Sequence, residues 1–219
     1  DKTVMVIAAA PRTGSTFLTN VLCRVTGLRY FRLSSAYSTN EHDIYLPSLC
    51  LAKARGCISQ MHMKGTFHNA ELMRIFGAKP VVLVRRIYDI VVSMAHDLRE
   101  KEKLPGFGSG INGYSFIWQN EDVKNLDDQR LLDLVVDLIV PWYVNFIVSW
   151  DSLARNGNLE ILWVTYEEMM ADKKETINRV LSFAGLNASV DTLEESIAAK
   201  YRTFHIGNVG RGDTLLSAE

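Results

Sequence analysis

Short apolar runs alternate with longer segments of helical spacing along most of this chain. Four of the runs have the length and β-branched content of buried strands; they lie at 4–10, 57–61, 80–84 and 159–165. Apolar residues three and four positions apart indicate helices between and after them. These predicted helices are 15–25, 69–76, 88–98, 131–153 (with a kink at Pro141), 176–184 and 190–201. The alternation predicts a three-layer α/β/α fold with a central parallel sheet.

Two segments lack a clear period. Residues 29–57, apart from the strand at their end, are predicted to be irregular, either as a substrate-facing loop or as a plain surface connection. Residues 99–128 are first charged and then rich in glycine, which is typical of a mobile lid or a poorly ordered loop. The 219 residues suit one domain over 1–219, whole or as a fragment of a longer chain.

The candidate chemistry lies directly after the predicted strands. In an open parallel sheet, ligands bind beyond the carboxyl ends of the strands. The loops 11–16, 62–66, 85–93 and 165–166 each follow a strand. We therefore expect these four loops to lie together at one edge of the sheet.

The first of these loops has the composition of an anion site. Arg12 supplies a planar cation, Gly14 permits a close backbone approach, and three hydroxyl residues follow or flank it: Thr13, Ser15 and Thr16. The N–H groups at the start of the next helix lack partners inside that helix and favour an anion. The alternative is an ordinary turn capped by Ser or Thr. A Walker A loop is excluded because no Gly-Lys pair occurs.

The other three loops each carry one candidate group. His62 follows the second strand, Arg85 follows the third with Ser93 eight residues later, and Tyr166 follows the fourth. Taken singly, each has an ordinary structural explanation: a bystander imidazole, a surface ion pair, a helix hydroxyl and a ring at the core edge. Only their combination points to a site.

That combination resembles the sulfotransferases that use 3′-phosphoadenosine 5′-phosphosulfate (PAPS), over about residues 3–212. The segment 11–17 is similar to the 5′-phosphosulfate loop of that family, with Arg12 where many members have Lys and Phe17 where cytosolic members have Trp. The segment 82–93 is similar to the 3′-phosphate segment, in which an Arg and a Ser eight residues later hold that phosphate. Residues 164–169 resemble the strand end whose Tyr lies beside the adenine, and 60–62 resemble a triplet that ends in the catalytic His.

The resemblance implies a nucleotide site of the P-loop-like strand–turn–helix kind. Its residues would be Arg12, Thr13, Gly14, Ser15, Thr16, Phe17, Arg85, Ser93, Tyr166, Gly207 and Arg211, with PAPS as co-substrate and without a metal. It also implies that His62 is the general base and that Arg12 stabilises the departing phosphate. Glu41 and His42 are rival bases, and His68 is a weaker one.

Two departures from the family pattern concern positive charge. Gln60 stands where the family triplet has Lys, and Lys64 is a candidate to replace it. The C-terminal glycines Gly207 and Gly210 match the family pattern, but its cations are missing, so Arg202 or Arg211 would have to supply the charge. These departures support a catalytically inactive PAPS-binding module as one alternative. A nucleotide or small-molecule kinase is another, disfavoured because the chain lacks Gly-Lys-Ser/Thr and an obvious Mg²⁺-binding Asp after a strand.

Composition restricts the partners. The formal net charge of −1 argues against nucleic acid as a partner. No uninterrupted apolar run is long enough to span a membrane; residues 131–150 come nearest but include Asp133, Asp137 and Asn145. Three cysteines without metal or CxxC spacing favour a reducing, cytoplasmic location, with a luminal fragment of an anchored enzyme as the alternative. Aromatic residues in 29–57 and 99–128 suggest a small-molecule or glycan acceptor, and the oligomeric state is not predicted.

Overall fold

A computed structural model describes residues 2–35, 42–101, 125–157, 159–199, 209–210 and 212. Four strands lie within these ranges: β1 (Val4–Ala9), β2 (Cys57–Met61), β3 (Lys79–Val84) and β4 (Leu162–Thr165). The helices are α1 (Ser15–Thr26), α2 (Leu46–Arg55), α3 (Phe67–Phe76), α4 (Ile87–Lys101), α5 (Asp128–Arg155), α6 (Tyr166–Ala171), α7 (Lys173–Phe183) and α8 (Val190–Ala198).

The four strands form one parallel sheet in the order β2-β1-β3-β4. Successive side chains of β1 point to opposite faces, so Val6 and Ala8 pack on one side while Met5 and Ile7 pack on the other. Buried residues of α2, α3, α4 and α5 cover the first face, and those of α1, α6, α7 and α8 cover the second. This arrangement confirms the predicted three-layer α/β/α fold.

Two helices were not expected. Residues 46–55, predicted to be irregular, form α2, which starts with Pro47 in its first turn. Only Leu49 and Ala52 of α2 are buried, while Leu51 is exposed. The apolar residues of α2 therefore do not share one face, and the sequence shows only a weak helical period. The six-residue α6 is too short for any period, but Thr165 and Glu168 form a capping box that marks its start.

The long helix α5 holds one side of the site in place. Its buried stripe consists of Leu131, Val135, Ile139, Tyr143, Phe146 and Trp150. Pro141 lies inside this helix.

Among the described residues, α5 is the one helix long and apolar enough to cross a membrane, although only 33% of its most apolar window is buried. A helix of the protein core passes the same test of length and composition, so this finding alone assigns α5 to no membrane.

Candidate active site

The turn after β1 combines two residues in the left-handed backbone region. Arg12 has φ +67° and Gly14 has φ +83°. The Thr13 hydroxyl donates to the Ala10 carbonyl oxygen at 2.7 Å and closes the turn. Gly14 is the N-cap of α1 and has no side chain, so no side-chain hydrogen bond caps the start of this helix.

Tyr166 packs directly against this turn. A Cβ atom added to Gly14 would lie 2.9 Å from Tyr166 Cδ2 and 2.9 Å from Met169 Cε. Tyr166 is only 4% exposed. Gly14 therefore serves two needs at once: it adopts a positive φ, and it lets the turn approach the ring.

Arg85 links the end of β3 to the same turn. Its Nη1 donates to the Arg12 carbonyl oxygen at 3.0 Å, and its guanidinium carbon lies 4.1 Å from the centre of the Tyr166 ring. Burial lowers the pKa of Arg85, partly offset by nearby acidic groups, but a guanidinium remains charged in proteins. A buried cation thus lies over an aromatic ring, beside a helix N-terminus.

The backbone of Arg85 is held by Tyr143 of α5. The Arg85 N–H donates to the Tyr143 hydroxyl at 2.8 Å, and that hydroxyl donates to the Arg85 carbonyl oxygen at 2.6 Å. Burial raises the pKa of Tyr143 to about 12, so the hydroxyl keeps the proton that it donates. This pair fixes the point at which the chain leaves β3.

The Arg12 side chain turns toward α4. Its Nε donates to Ser93 Oγ at 3.1 Å and its Nη1 donates to Asp97 Oδ1 at 2.8 Å. Arg12 therefore connects three segments: its own turn after β1, Arg85, whose Nη1 donates to its carbonyl oxygen, and Ser93 of α4, which accepts from its guanidinium. Asp97 brings a carboxylate into this group, which sequence reasoning did not predict.

His62 is anchored to the end of β1. Its Nδ1 lies 2.7 Å from the Ala9 carbonyl oxygen. A carbonyl only accepts, so Nδ1 carries the hydrogen, and in the neutral ring Nε2 keeps a lone pair. The loop beyond His62 is tied to α5, because Trp150 Nε1 donates to the Met63 carbonyl at 3.0 Å and the Gly65 N–H donates to Ser149 Oγ at 2.9 Å.

Asp89, in the first turn of α4, holds the C-terminal segment. Its two carboxylate oxygens accept the N–H groups of Gly210 at 3.0 Å and Gly212 at 2.8 Å. A Cβ on Gly212 would come within 2.5 Å of Tyr88, so glycine is required for this approach. Gly210, the second glycine of the predicted motif, therefore lies against the helix that carries Ser93.

The structure brings together the turn 11–16, His62, Arg85, Ser93 and Tyr166, which were predicted from four separate stretches. At the start of α1, Thr16 is exposed, whereas Ser15 and Phe17 are buried, and Phe17 packs in the core between α1 and the sheet. His68 is exposed and lies on α3. Gly207, Arg211, Arg202 and Glu41 lie outside the described residues, and the ligand roles of all these residues stay predictions.

Sequence reasoning missed three residues of this site: Tyr143, Asp89 and Asp97. Tyr143 was visible as a hydroxyl on the apolar stripe of α5. Asp89 lies four residues after Arg85, in the first turn of the predicted helix. An acidic residue at that position is a recognisable signal, because it is favourable at a helix N-terminus. Nothing in the local sequence distinguished Asp97 from a solvated helix residue.

The sulfotransferase domain family matches residues 2–209, so the chain belongs to this family, as its motifs predicted. A comparison with curated proteins finds no match.

Solved structures share the fold. One is mouse sulfotransferase SULT7A1 complexed with PAP, with 15% identity and a TM-score of 0.63 over 98% of this chain and 79% of that chain. Another is retinol dehydratase with androsterone and the inactive cofactor PAP, with 18% identity and a TM-score of 0.57 over 89% of this chain and 63% of that one. A third is retinol dehydratase with retinol and PAP, at 17% identity and a TM-score of 0.54, over 88% and 62%.

Proposed function

We propose that this chain transfers a sulfuryl group from PAPS to a hydroxyl or amine acceptor and releases PAP, the desulfated 3′,5′-bisphosphate nucleotide. The observation that carries the proposal is the contact between the Arg85 guanidinium and the Arg12 carbonyl. It joins the two segments that would hold opposite ends of one nucleotide. The PAP bound in the SULT7A1 and retinol dehydratase structures supports the same donor.

In this proposal, different segments bind the 5′-phosphate and the 3′-phosphate of the nucleotide. The uncapped N-terminus of α1 suits the 5′-phosphate, because N–H groups converge there and the helix dipole favours an anion. Arg85 and Ser93 suit the 3′-phosphate, and Tyr166 suits a position beside the adenine. Arg12, already oriented by Ser93 and Asp97, would stabilise the charge that develops on the departing phosphate.

His62 is the proposed general base. The acceptor oxygen attacks sulfur, the bond between sulfur and the phosphate oxygen breaks, and the acceptor proton passes to His62 Nε2. Because Nδ1 donates to Ala9, the lone pair of the neutral ring is on the nitrogen that this step needs. No metal enters the scheme; the protein positions the groups and stabilises charge.

The His62→Ala variant tests the assignment. General-base help is worth roughly 10²- to 10⁴-fold, so we expect turnover of labelled PAPS on a panel of acceptors to fall by that factor. Binding of PAP, measured by calorimetry, should stay within a factor of two. His96→Ala is the matched control, because that ring is exposed on α4 and should leave turnover unchanged. Turnover of His62→Ala within about threefold of the native protein would remove His62 from the role.

A catalytically inactive PAPS-binding module is the second candidate, and Gln60 favours it because it replaces a cation of the family triplet. Thermal-shift measurements with PAP and ATP, paired with the turnover assay, separate the possibilities. Stabilisation by PAP with turnover supports the transferase, stabilisation by PAP without turnover supports the module, and stabilisation by ATP alone supports a kinase. The retinol and androsterone of the retinol dehydratase structures make small apolar alcohols the first acceptors to screen, followed by glycans.

A further inference from the structure

We propose that His42 positions His62 and is not itself a base. The inference rests on the proposed function only in that His62 is the base there. His42 lies just before α2, 20 residues from His62, and its side chain is 4% exposed. It approaches the other histidine through both its backbone and its ring.

The two histidines form a reciprocal pair. The His42 N–H donates to the His62 carbonyl oxygen at 3.0 Å, and the His62 N–H donates to His42 Nδ1 at 3.0 Å. The rings lie 5.6 Å apart between centroids with an interplanar angle of 28°. Both polar groups of the His62 main chain are thus used by one residue, and its ring stacks on the residue that holds it.

The contacts of the His42 ring argue against a role as base. Nδ1 faces the His62 N–H, and Nε2 lies 3.1 Å from Arg32 Nη2, a group that only donates. A neutral ring satisfies one of these two donors. A protonated ring would turn an N–H toward both and satisfy neither, so taking the acceptor's proton would break the contact that holds His62.

A second residue holds the segment that carries His42. Asn69 on α3 is fully buried, and its Oδ1 accepts the Ile44 N–H at 2.9 Å. Its Nδ2 donates to Asp43 Oδ1 at 2.9 Å and to the Lys64 carbonyl at 3.2 Å. Because Asn69 ties the two segments independently, a change of the His42 ring should leave them adjacent and disturb mainly the direction of His62.

Two variants that keep a polar side chain separate positioning from packing. In His42→Asn the side-chain oxygen falls near the place of Nδ1 and can still accept the His62 N–H. In His42→Gln the oxygen falls near the place of Nε2, beside Arg32, and the His62 N–H loses its acceptor. Misplacement of a catalytic group by about 1 Å can cost roughly 10²-fold. We expect kcat to fall by about 10- to 100-fold in His42→Gln and by less than about threefold in His42→Asn, with the KM for PAPS within twofold in both.

The pH profile and the His62 tautomer give readouts that a merely structural role would not move. The part of the pH profile of kcat that reports ionisation of the base should persist in His42→Gln, because His62 is still present. It should vanish in His62→Ala. In ¹⁵N-histidine NMR spectra of the ligand-free protein, His62 should show hydrogen on Nδ1 in the native chain and in His42→Asn, and a mixture of tautomers in His42→Gln.

The NMR measurement needs no turnover, so it tests the positioning even if the proposed function fails. Equal kcat values for the two variants with an unchanged His62 tautomer would overturn the proposal. So would a pH limb that is lost with His42→Gln and kept with His62→Ala, which would make His42 the base.

Discussion

Arg85 is the residue at which most contacts of the site meet. Its guanidinium touches the turn after β1 and the Tyr166 ring, while its backbone is held by α5. The resemblance of the segment 82–93 to the family's 3′-phosphate segment predicted Arg85 as a phosphate ligand. It did not predict that the same side chain would help to build the neighbouring turn. The Arg85 side chain therefore joins the end of β3 to the turn after β1.

Gly14 offers a test in which conformation and crowding can be separated. Gly14→Ala places a side chain in the left-handed region, which costs about 1–2 kcal/mol, and also pushes the new Cβ into Tyr166. Gly27→Ala, at the other end of α1, has φ +70° with nothing within 4 Å, so it carries the conformational cost alone. We expect Gly14→Ala to lose more stability in urea unfolding and to weaken PAP binding. Equal losses of stability and unchanged PAP affinity would contradict the close packing of turn and ring.

Residues that act through one short motif were predictable, whereas residues that act through long-range contacts were not. Arg12, Gly14 and His62 each belong to a recognisable strand–loop pattern. The ion pair of Arg12 with Asp97 spans 85 residues, and the bond of Tyr143 to Arg85 spans 58. Such pairs depend on how the helices pack against the sheet. The spacing of apolar residues within one helix gives no information about this tertiary arrangement.

At the scale of elements, α5 sets the geometry of two strand ends. Tyr143 holds the end of β3, and Trp150 and Ser149 hold the loop after β2. The apolar period of α5 predicted its existence and its buried stripe. The polar contacts came from Tyr143 and Trp150, which lie on that stripe, and from Ser149 beside it. The apolar period alone does not show which backbone groups these side chains bind.

Tyr143→Phe tests the link between α5 and the site. The change leaves the Arg85 N–H and carbonyl without this partner in a buried place, and a buried unpaired polar group costs about 1–3 kcal/mol. We expect the free energy of unfolding to fall by that amount and PAP binding to weaken. Tyr45→Phe, on a half-exposed ring, is the control and should change neither. A Tyr143→Phe protein with native stability and native PAP affinity would show that the hydroxyl is dispensable.

The contact between α4 and the C-terminal segment predicts a dependence on pH. Burial raises the pKa of Asp89, but the N–H groups of Gly210 and Gly212 and the charges of Arg85 and Arg86 outweigh it, so the net pKa is lowered. A carboxyl with a lowered folded-state pKa stabilises the fold above its unfolded pKa, about 3.9, and loses this contribution as the pH falls below that value.

Asp89→Asn should therefore be less stable than the native chain by about 1–3 kcal/mol near neutral pH, since one amide cannot accept both N–H groups. The difference should shrink as the pH falls below about 4. Urea unfolding between pH 3 and pH 7 measures it. Glu195→Gln, exposed on α8, should show no comparable trend. A stability difference that stays constant down to pH 3 would contradict the assignment to the Asp89 carboxylate.

At the scale of the whole molecule, the parallel sheet is what gathers the site. Parallel strands place all their carboxyl ends at one edge, so four loops far apart in sequence meet there. The alternating pattern was sufficient to predict this edge, because the strands β1 and β3 are almost continuous apolar runs. The helices α2 and α6 escaped prediction because one is weakly amphipathic and the other is a single capped turn and a half.

The central claim is that one nucleotide spans from the turn after β1 to Arg85. Calorimetric titration of PAP and of adenosine 5′-phosphate, which lacks the 3′-phosphate, into the native chain, Arg85→Ala and the neighbouring exposed-residue control Arg86→Ala tests it most directly. A charged hydrogen bond to phosphate is worth roughly 1.5–3 kcal/mol, so Arg85→Ala should weaken PAP by roughly 10- to 150-fold and adenosine 5′-phosphate far less. Arg86→Ala should leave the preference for PAP intact. Equal losses for both nucleotides in Arg85→Ala, or no preference for PAP in the native chain, would contradict the account.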